Sequence, residues 1–153
     1  MDSQKATFGA GCFWSVEKNF KSVKGVYMVQ VGYMGGKTLN PTYHDICRGD
    51  TNHAEVLQIA FSPEIISYSD LLKIFWKNHN PTTLNQQGPD MGTQYRSVIF
   101  YQNDKQKELA ESSISTQQTK WGKEIVTQII PSEKWKLLMR LFSLYIDTIY
   151  FCP

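Results

Sequence analysis

Apolar and polar residues change rhythm several times along the chain, and each change predicts an element. ATFGA at 6–10 has the texture of a short strand, and from Cys12 onward Phe13, Val16, Phe20 and Val23 recur at helical spacing until Gly25 ends the run. YMVQVGY at 27–33 alternates as a strand does. Residues 34–52, MGGKTLNPTYHDICRGDTN, then lose periodicity and read as one long loop, which in a compact domain is usually a functional segment. AEVLQIAF at 54–61 reads as a strand with Leu57, Ile59 and Phe61 on one face, and Glu55 shares their parity. Ser67 and Asp70 have the spacing of a capping box that opens a helix over 68–79, closed by Pro81. A second polar loop at 82–94 leads into the strand YRSVIFY at 95–101. A largely polar helix over 104–121 ends at Gly122, and the strand EIVTQII at 124–130 stops at Pro131.

The resulting order, β-α-β-β-α-β-α-β, is mixed rather than strictly alternating. It predicts an α+β, two-layer sandwich with helices packed on a mainly antiparallel sheet. A chain of 153 residues is long enough for one core and too short for two, so 1–153 is expected to be a single domain. From about residue 131 the texture diverges. In SEKWKLLMRLFSLYIDTIYFCP, Trp135, Leu138, Phe142, Tyr145 and Ile149 form a helical stripe, and Leu137, Leu141 and Ile146 lie opposite. Lys136, Arg140 and Asp147 interrupt the segment, which falls short of the roughly 20 apolar residues a membrane span requires. Docking on the domain's own surface is expected rather than a membrane role.

Charge narrows the partners. Sixteen Lys and Arg against fourteen Asp and Glu give a net +2 with no basic tract, which argues against nucleic acid. No apolar run follows a basic segment at the start, so no secretory signal is visible and a cytoplasmic setting is expected. Three cysteines, Cys12, Cys47 and Cys152, are too few and too widely spaced for a disulfide scaffold, so at least one is free.

In GAGCFW a thiol stands at the start of a helix and is approached through Gly9 and Gly11. Unpaired backbone N–H groups and the positive end of the helix dipole stabilise a thiolate there, so the Cys12 pKa is expected to fall toward neutrality. The glycines would let the loop fold tightly over the sulfur and present N–H groups to it. If the thiolate attacks a group whose oxygen must leave, an acid is needed. Glu55, on the apolar face of its strand, would be kept protonated by burial. An edge glutamate beside a loop is the plainer alternative. His44, Cys47 and His53 can be read as a metal cluster, but the spacing does not match paired-ligand knuckles and no fourth ligand is evident. A nucleophile–base pair of Cys12 with His44, His53 or His79 is open too, without a local motif to support it.

Four blocks in order, GCFWSVE at 11–17, GYMGGKTLNPTYHDIC at 32–47, TNHAEV at 51–56 and GPDMGTQYRS at 88–97, resemble the A-class peptide methionine sulfoxide reductases. With ISYSDLLKIFWKNHNPT at 66–82 they carry the likeness from about Phe8 to Ile130. The resemblance implies an α+β sandwich with a ferredoxin-like split β-α-β core, and reduction of methionine-S-sulfoxide, protein-bound and free. Cys12 would be the nucleophile that passes through a sulfenic acid, and Glu55 the proton donor. Tyr43 and Tyr95 would hold the sulfoxide oxygen, with Asp90 organising that side, and Phe13 and Trp14 would form the wall for the substrate methyl group. One methyl in an apolar site discriminates by only about 1–3 kcal/mol, so epimer choice also needs the directed oxygen bonds. Phe13 turned inward on its helix stripe, and Tyr43 merely packing its loop, are the structural alternatives.

The resemblance further implies no metal and no organic cofactor. An external thiol, thioredoxin or the glutathione–glutaredoxin pair, would return Cys12 to its reduced form, and the chain would act as a monomer. Cys152, near the C-terminus, and Cys47 are candidates for a resolving thiol. Two departures stand out. The segment after Pro131 lacks the family's usual F-x-x-A-E-x-Y-H-Q pattern, which leaves a catalytically weak binding or regulatory form as the alternative function. Asn52 stands where glycine is common, and asparagine tolerates the left-handed backbone that such a turn needs.

Overall fold

The structure is a computed structural model and describes residues 2–38, 43–132 and 138–139; the side chains of residues 43, 46, 47, 138 and 139 lie outside that description. Six strands form one sheet in the order β7-β6-β1-β3-β2-β8. The central strands are β1 (Gln4–Ala10), β2 (Val26–Met34), β3 (Ala54–Phe61) and β6 (Ser97–Tyr101). β3 lies between β1 and β2 and is antiparallel to both, with Glu55 opposite Tyr33. β6 runs antiparallel to β1, and β7 (Gln128–Pro131) is parallel to β6. The expected mixed architecture with a mainly antiparallel sheet is therefore present.

The helices α1 (Phe13–Lys21), α3 (Tyr68–Lys77) and α4 (Asp104–Gln118) supply one layer. Strand alternation turns Phe8, Leu57, Ile59, Phe61 and Ile99 toward them, into one core with Val16, Phe20, Leu71, Leu72 and Phe75. Phe8 is fully buried and stacks against Phe20 at 5.9 Å and Phe75 at 5.0 Å between ring centroids. Burying such a ring is worth roughly 1.5–3 kcal/mol. On the sheet's other face a smaller cluster joins Met34, Ala54, Val56, Val98 and Phe100.

The capping box at α3 is present: Ser67 Oγ accepts from the Asp70 N–H at 3.0 Å, and the Asp70 carboxylate accepts from the Ser67 N–H. That helix ends two residues earlier than the pattern suggests, because the ring of His79 turns back onto the Phe75 carbonyl. α4 also closes early, at Gln118, whose side-chain amide donates to the Trp121 and Lys123 carbonyls. β7 starts later than expected, since the N–H of Ile125 goes to Gln118 Oε1 and that of Val126 to the Pro81 carbonyl. Pro131 is its last residue and sits on an edge, where a missing N–H is tolerated.

Both polar loops hold more structure than their lack of period indicates. Residues 34–52 contain the short helix α2 (Tyr43–Arg48), and 82–94 contain a hairpin of β4 (Gln86–Gln87) and β5 (Asp90–Met91), followed by a 3₁₀ turn at Thr93–Tyr95. Most of the C-terminal helical stripe lies outside the described residues. Leu138–Met139, however, form a strand, β8, paired to Gly32 and Tyr33 of β2, and so are not helical. Among the described residues no helix is long and apolar enough to cross a membrane.

Candidate active site

Cys12 is the N-cap of α1, in an extended backbone conformation (φ −59°, ψ 119°), and its side chain is half-buried. Gly11 before it has φ +87°, a region only glycine enters freely. A Cβ on Gly11 would also lie 2.6 Å from Gln87 Cγ, so the β4–β5 hairpin is packed directly onto the turn that presents the thiol. Gly9 has a different reason from the one the sequence suggested. It sits within β1 opposite Val98, and a Cβ there would meet Val98 Cγ1 at 2.6 Å; it makes room in the sheet and does not shape the thiol loop.

The expected fall in the Cys12 pKa is reversed. Burial is the largest influence and the Glu55 carboxylate the next; both push the thiol up, and Asp90 adds to them. The N–H groups of Trp14 and Ser15 do favour the thiolate, as a helix N-terminus should, but they are outweighed. The helix start was visible in the sequence, whereas the two carboxylates come from strands far along the chain.

Glu55 is 3 % exposed, on the helix-facing side of β3, and its Oε2 accepts the Phe13 N–H at 3.2 Å. It is thus tied to the same helix start as Cys12 and is not an edge residue. Tyr95, at the end of the 3₁₀ turn, is buried, and its phenol is pushed up to about 12, chiefly by burial and then by Glu55, with smaller contributions from Asp90 and Cys12. Asp90, half-buried on β5, therefore acts electrostatically on both Cys12 and Tyr95. These four groups converge.

Phe13 is buried in the core, 5.7 Å from the ring of Tyr33, while Trp14 meets it edge-on at 6.2 Å and keeps half its surface exposed. The pair has one sunken and one open member. Tyr33, opposite Glu55 in the sheet, packs against the sunken one; the alternation of β2 could have pointed to it. Tyr43 starts α2, but its side chain and that of Cys47 lie outside the described residues, as does Cys152 entirely.

Two histidines are committed elsewhere. His53 Nδ1 accepts the Gly36 N–H at 2.9 Å and its Nε2–H donates to the Thr38 carbonyl at 2.7 Å, so both ring nitrogens hold the 35–38 segment. His79 donates from Nδ1 to Phe75 and accepts at Nε2 from Ser97 Oγ, both at 2.7 Å. Neither ring has a nitrogen left for a thiol or a metal, and among the described residues no three His, Cys, Asp or Glu side chains gather as a metal site. Asn52 takes φ +58°, the left-handed turn expected of it.

A model of the family described as peptide methionine sulfoxide reductase matches residues 4–146. The chain is 55 % identical over 131 residues to the peptide methionine sulfoxide reductase MsrA of Methanothermobacter thermautotrophicus, covering 84 % of this chain and 78 % of that one. Among solved structures it is similar to reduced Mxr1 of Saccharomyces cerevisiae, with a TM-score of 0.84, 36 % identity, and coverage of 99 % of this chain and 90 % of the other. The same yeast protein in complex with Trx2 matches with a TM-score of 0.62 and 29 % identity over 84 % of this chain and 76 % of that one. These relatives are oxidoreductases acting on sulfur, a class that a cysteine at a helix start beside a buried carboxyl fits. The chain belongs to the peptide methionine sulfoxide reductase family, A class, and its chemistry is the reduction of methionine sulfoxide.

Proposed function

We propose that this chain reduces methionine-S-sulfoxide, both in proteins and as the free amino acid, with Cys12 as nucleophile and Glu55 as proton donor. The observation that carries this reading is the convergence of Cys12, Glu55, Tyr95 and Asp90 at the start of α1. The like-charge pressure of Glu55 on Cys12 supports a shared proton economy. With Glu55 protonated, its charge no longer opposes the Cys12 thiolate, and the proton stands ready for the sulfoxide oxygen. Cys12 sulfur attacks the sulfoxide sulfur while Glu55 protonates the oxygen. An S–S bond forms as the methionine S–O bond breaks and the protonated oxygen leaves as water; a water then attacks the Cys12 sulfur, the S–S bond breaks with its electron pair going to the methionine sulfur, and methionine leaves with Cys12 as a sulfenic acid.

Tyr95 and Tyr43 hold the oxygen by hydrogen bonds, with Asp90 organising that side; Phe13 and Trp14 receive the methyl group. The buried Tyr95 phenol keeps its proton and stays a donor. No metal or organic cofactor takes part. A first thiol condenses with the sulfenic acid and releases water, and a second frees Cys12. The match to the yeast protein in complex with Trx2 supports thioredoxin as the source; glutathione–glutaredoxin is the other candidate, and Cys152 or Cys47 would be an internal resolving thiol. The neighbouring strands β6-β1-β3-β2 support reading the core as ferredoxin-like, with β3 splitting the β1-α1-β2 unit. We take the chain as one cytoplasmic, monomeric domain whose segment from about 131 diverges.

The test is a single turnover with fully reduced protein and methionine-S-sulfoxide, no reductant being added. One methionine released and one thiol lost is the outcome for a waiting sulfenic acid; two thiols lost assigns internal resolution. Cys12→Ser should release none. Methionine release by Cys12→Ser at the wild-type rate would overturn the assignment.

A further inference from the structure

We infer that Gln87 is a positioning residue for the reaction, acting through Gly11 and Asp90, an inference that rests on the assignment of Cys12 and Asp90 above. Three segments meet at this one half-buried side chain. Its methylenes lie on Gly11, where an added Cβ would stand 2.6 Å from Cγ and 2.7 Å from Cβ of Gln87. Its amide makes a double link to one backbone unit. Oε1 accepts the Asn80 N–H at 2.8 Å, and Nε2 donates to the Asn80 carbonyl at 2.9 Å. Its own backbone is directly opposite Asp90 in the β4–β5 ladder.

The amide therefore does for Asn80 what a neighbouring strand would do, satisfying one donor and one acceptor at once. Asn80 is itself a turn organiser, its Oδ1 accepting from the N–H and hydroxyl of Thr82 at 3.0 and 2.6 Å. The chain is thus fixed at Asn80, where Gln87 grips it, and onward to Thr82. A hairpin of two-residue strands has little ladder of its own to fix its place. Gln87 supplies the missing attachment, and what it fixes is the separation between Asp90 and the turn that carries Cys12. Because the Gln87 contacts run to the Gly11 turn, to Asn80 and to Asp90, its loss should slow the step at saturation more than it weakens substrate capture.

Two variants separate cover from clamp. Gln87→Met keeps methylenes over Gly11 and deletes both bonds to Asn80; Gln87→Ala deletes both features. With free methionine-S-sulfoxide, the saturating single-turnover rate should fall on the order of tenfold in Gln87→Met and further in Gln87→Ala, while the half-saturating concentration moves less than about threefold. Hydrogen exchange of the Asn80 amide should quicken in both, with melting curves confirming folded protein. A wild-type rate in Gln87→Met, despite faster Asn80 exchange, would show that the clamp positions nothing. Iodoacetamide alkylation of Cys12 is followed in parallel because it needs no reductase activity. If wild type itself releases no methionine, the activity reading has failed, and the positioning role is then decided by whether Gln87→Met changes alkylation by at least about threefold; an unchanged rate overturns it.

Discussion

Cys12, Phe13 and Glu55 stand on elements rooted in the apolar core, where β3 passes between two strands and α1 buries Phe13, Val16 and Phe20. Asp90 and Tyr95 stand instead on 82–95, a segment shaped by polar side chains: Thr83 Oγ1 donates to the Gln86 carbonyl at 2.6 Å, and the Gly92 N–H goes to the Asn85 carbonyl at 2.9 Å. Cys12 and Glu55, the proposed nucleophile and acid, are held by burial, which is non-directional but strong in aggregate. The segment that carries Asp90 and Tyr95 is held by directed bonds, each worth only about 1 kcal/mol net but fixed in angle. Position of Cys12 and Glu55 relative to the fold is thus robust, and their alignment with Asp90 and Tyr95 is the adjustable quantity.

The largest effect on the core-rooted side is chemical. Glu55→Gln should lower methionine release by between about a hundredfold and ten-thousandfold, the range for loss of a positioned acid. In the same variant the pH midpoint of Cys12 alkylation should move down, because the Glu55 charge that pushes the thiol up is gone. A midpoint that stays or rises would mean the two groups do not interact. Phe8→Ala, in the core beneath, should cost about 3–5 kcal/mol in urea unfolding, through lost burial and the cavity left behind.

A third effect sharpens the contrast by pH. His79 links α3 to β6 through Ser97, and burial brings its pKa down to about 4 from 6.5. The unfolded chain therefore binds a proton that the folded one refuses, so stability is full above about pH 6.5 and falls as pH drops toward 4, by roughly 3 kcal/mol. His79→Gln should flatten that part of the stability profile in acid melts. The smallest effect is at the surface. The Lys21–Glu17 pair, at 2.6 Å on the exposed side of α1, should contribute no more than about 0.5 kcal/mol, read as a near-unchanged melting point in Lys21→Ala.

Periodicity made five of the sheet's strands and its three main helices legible, and the parity of Glu55 with Leu57, Ile59 and Phe61 placed it on the helix-facing side of β3. The misses have physical causes. α2 spans six residues of YHDICR with no apolar repeat, so nothing in its pattern distinguishes it from loop. β4 and β5 are two residues each, shorter than any alternation can register. The Cys12 pKa was misjudged because local sequence shows helix N–H groups but not the carboxylates of Glu55 and Asp90, which arrive only with the tertiary fold. Gly9 and Gly11 looked alike in sequence. Only one of them has a positive φ.

β3 is threaded between β1 and β2 although it follows both in the chain, and the Phe13–Glu55 bond closes a span of 42 residues. Cys12 and Glu55 consequently do not exist as a pair in any partly built chain; they meet only when the last of the three central strands has docked. Long-range strand docking of this kind is intrinsically slow. Recovered activity after dilution from denaturant is therefore a clock for completion of the sheet. A chain caught with β3 undocked would expose Cys12 apart from Glu55, an oxidisable thiol without the carboxyl proposed as its acid.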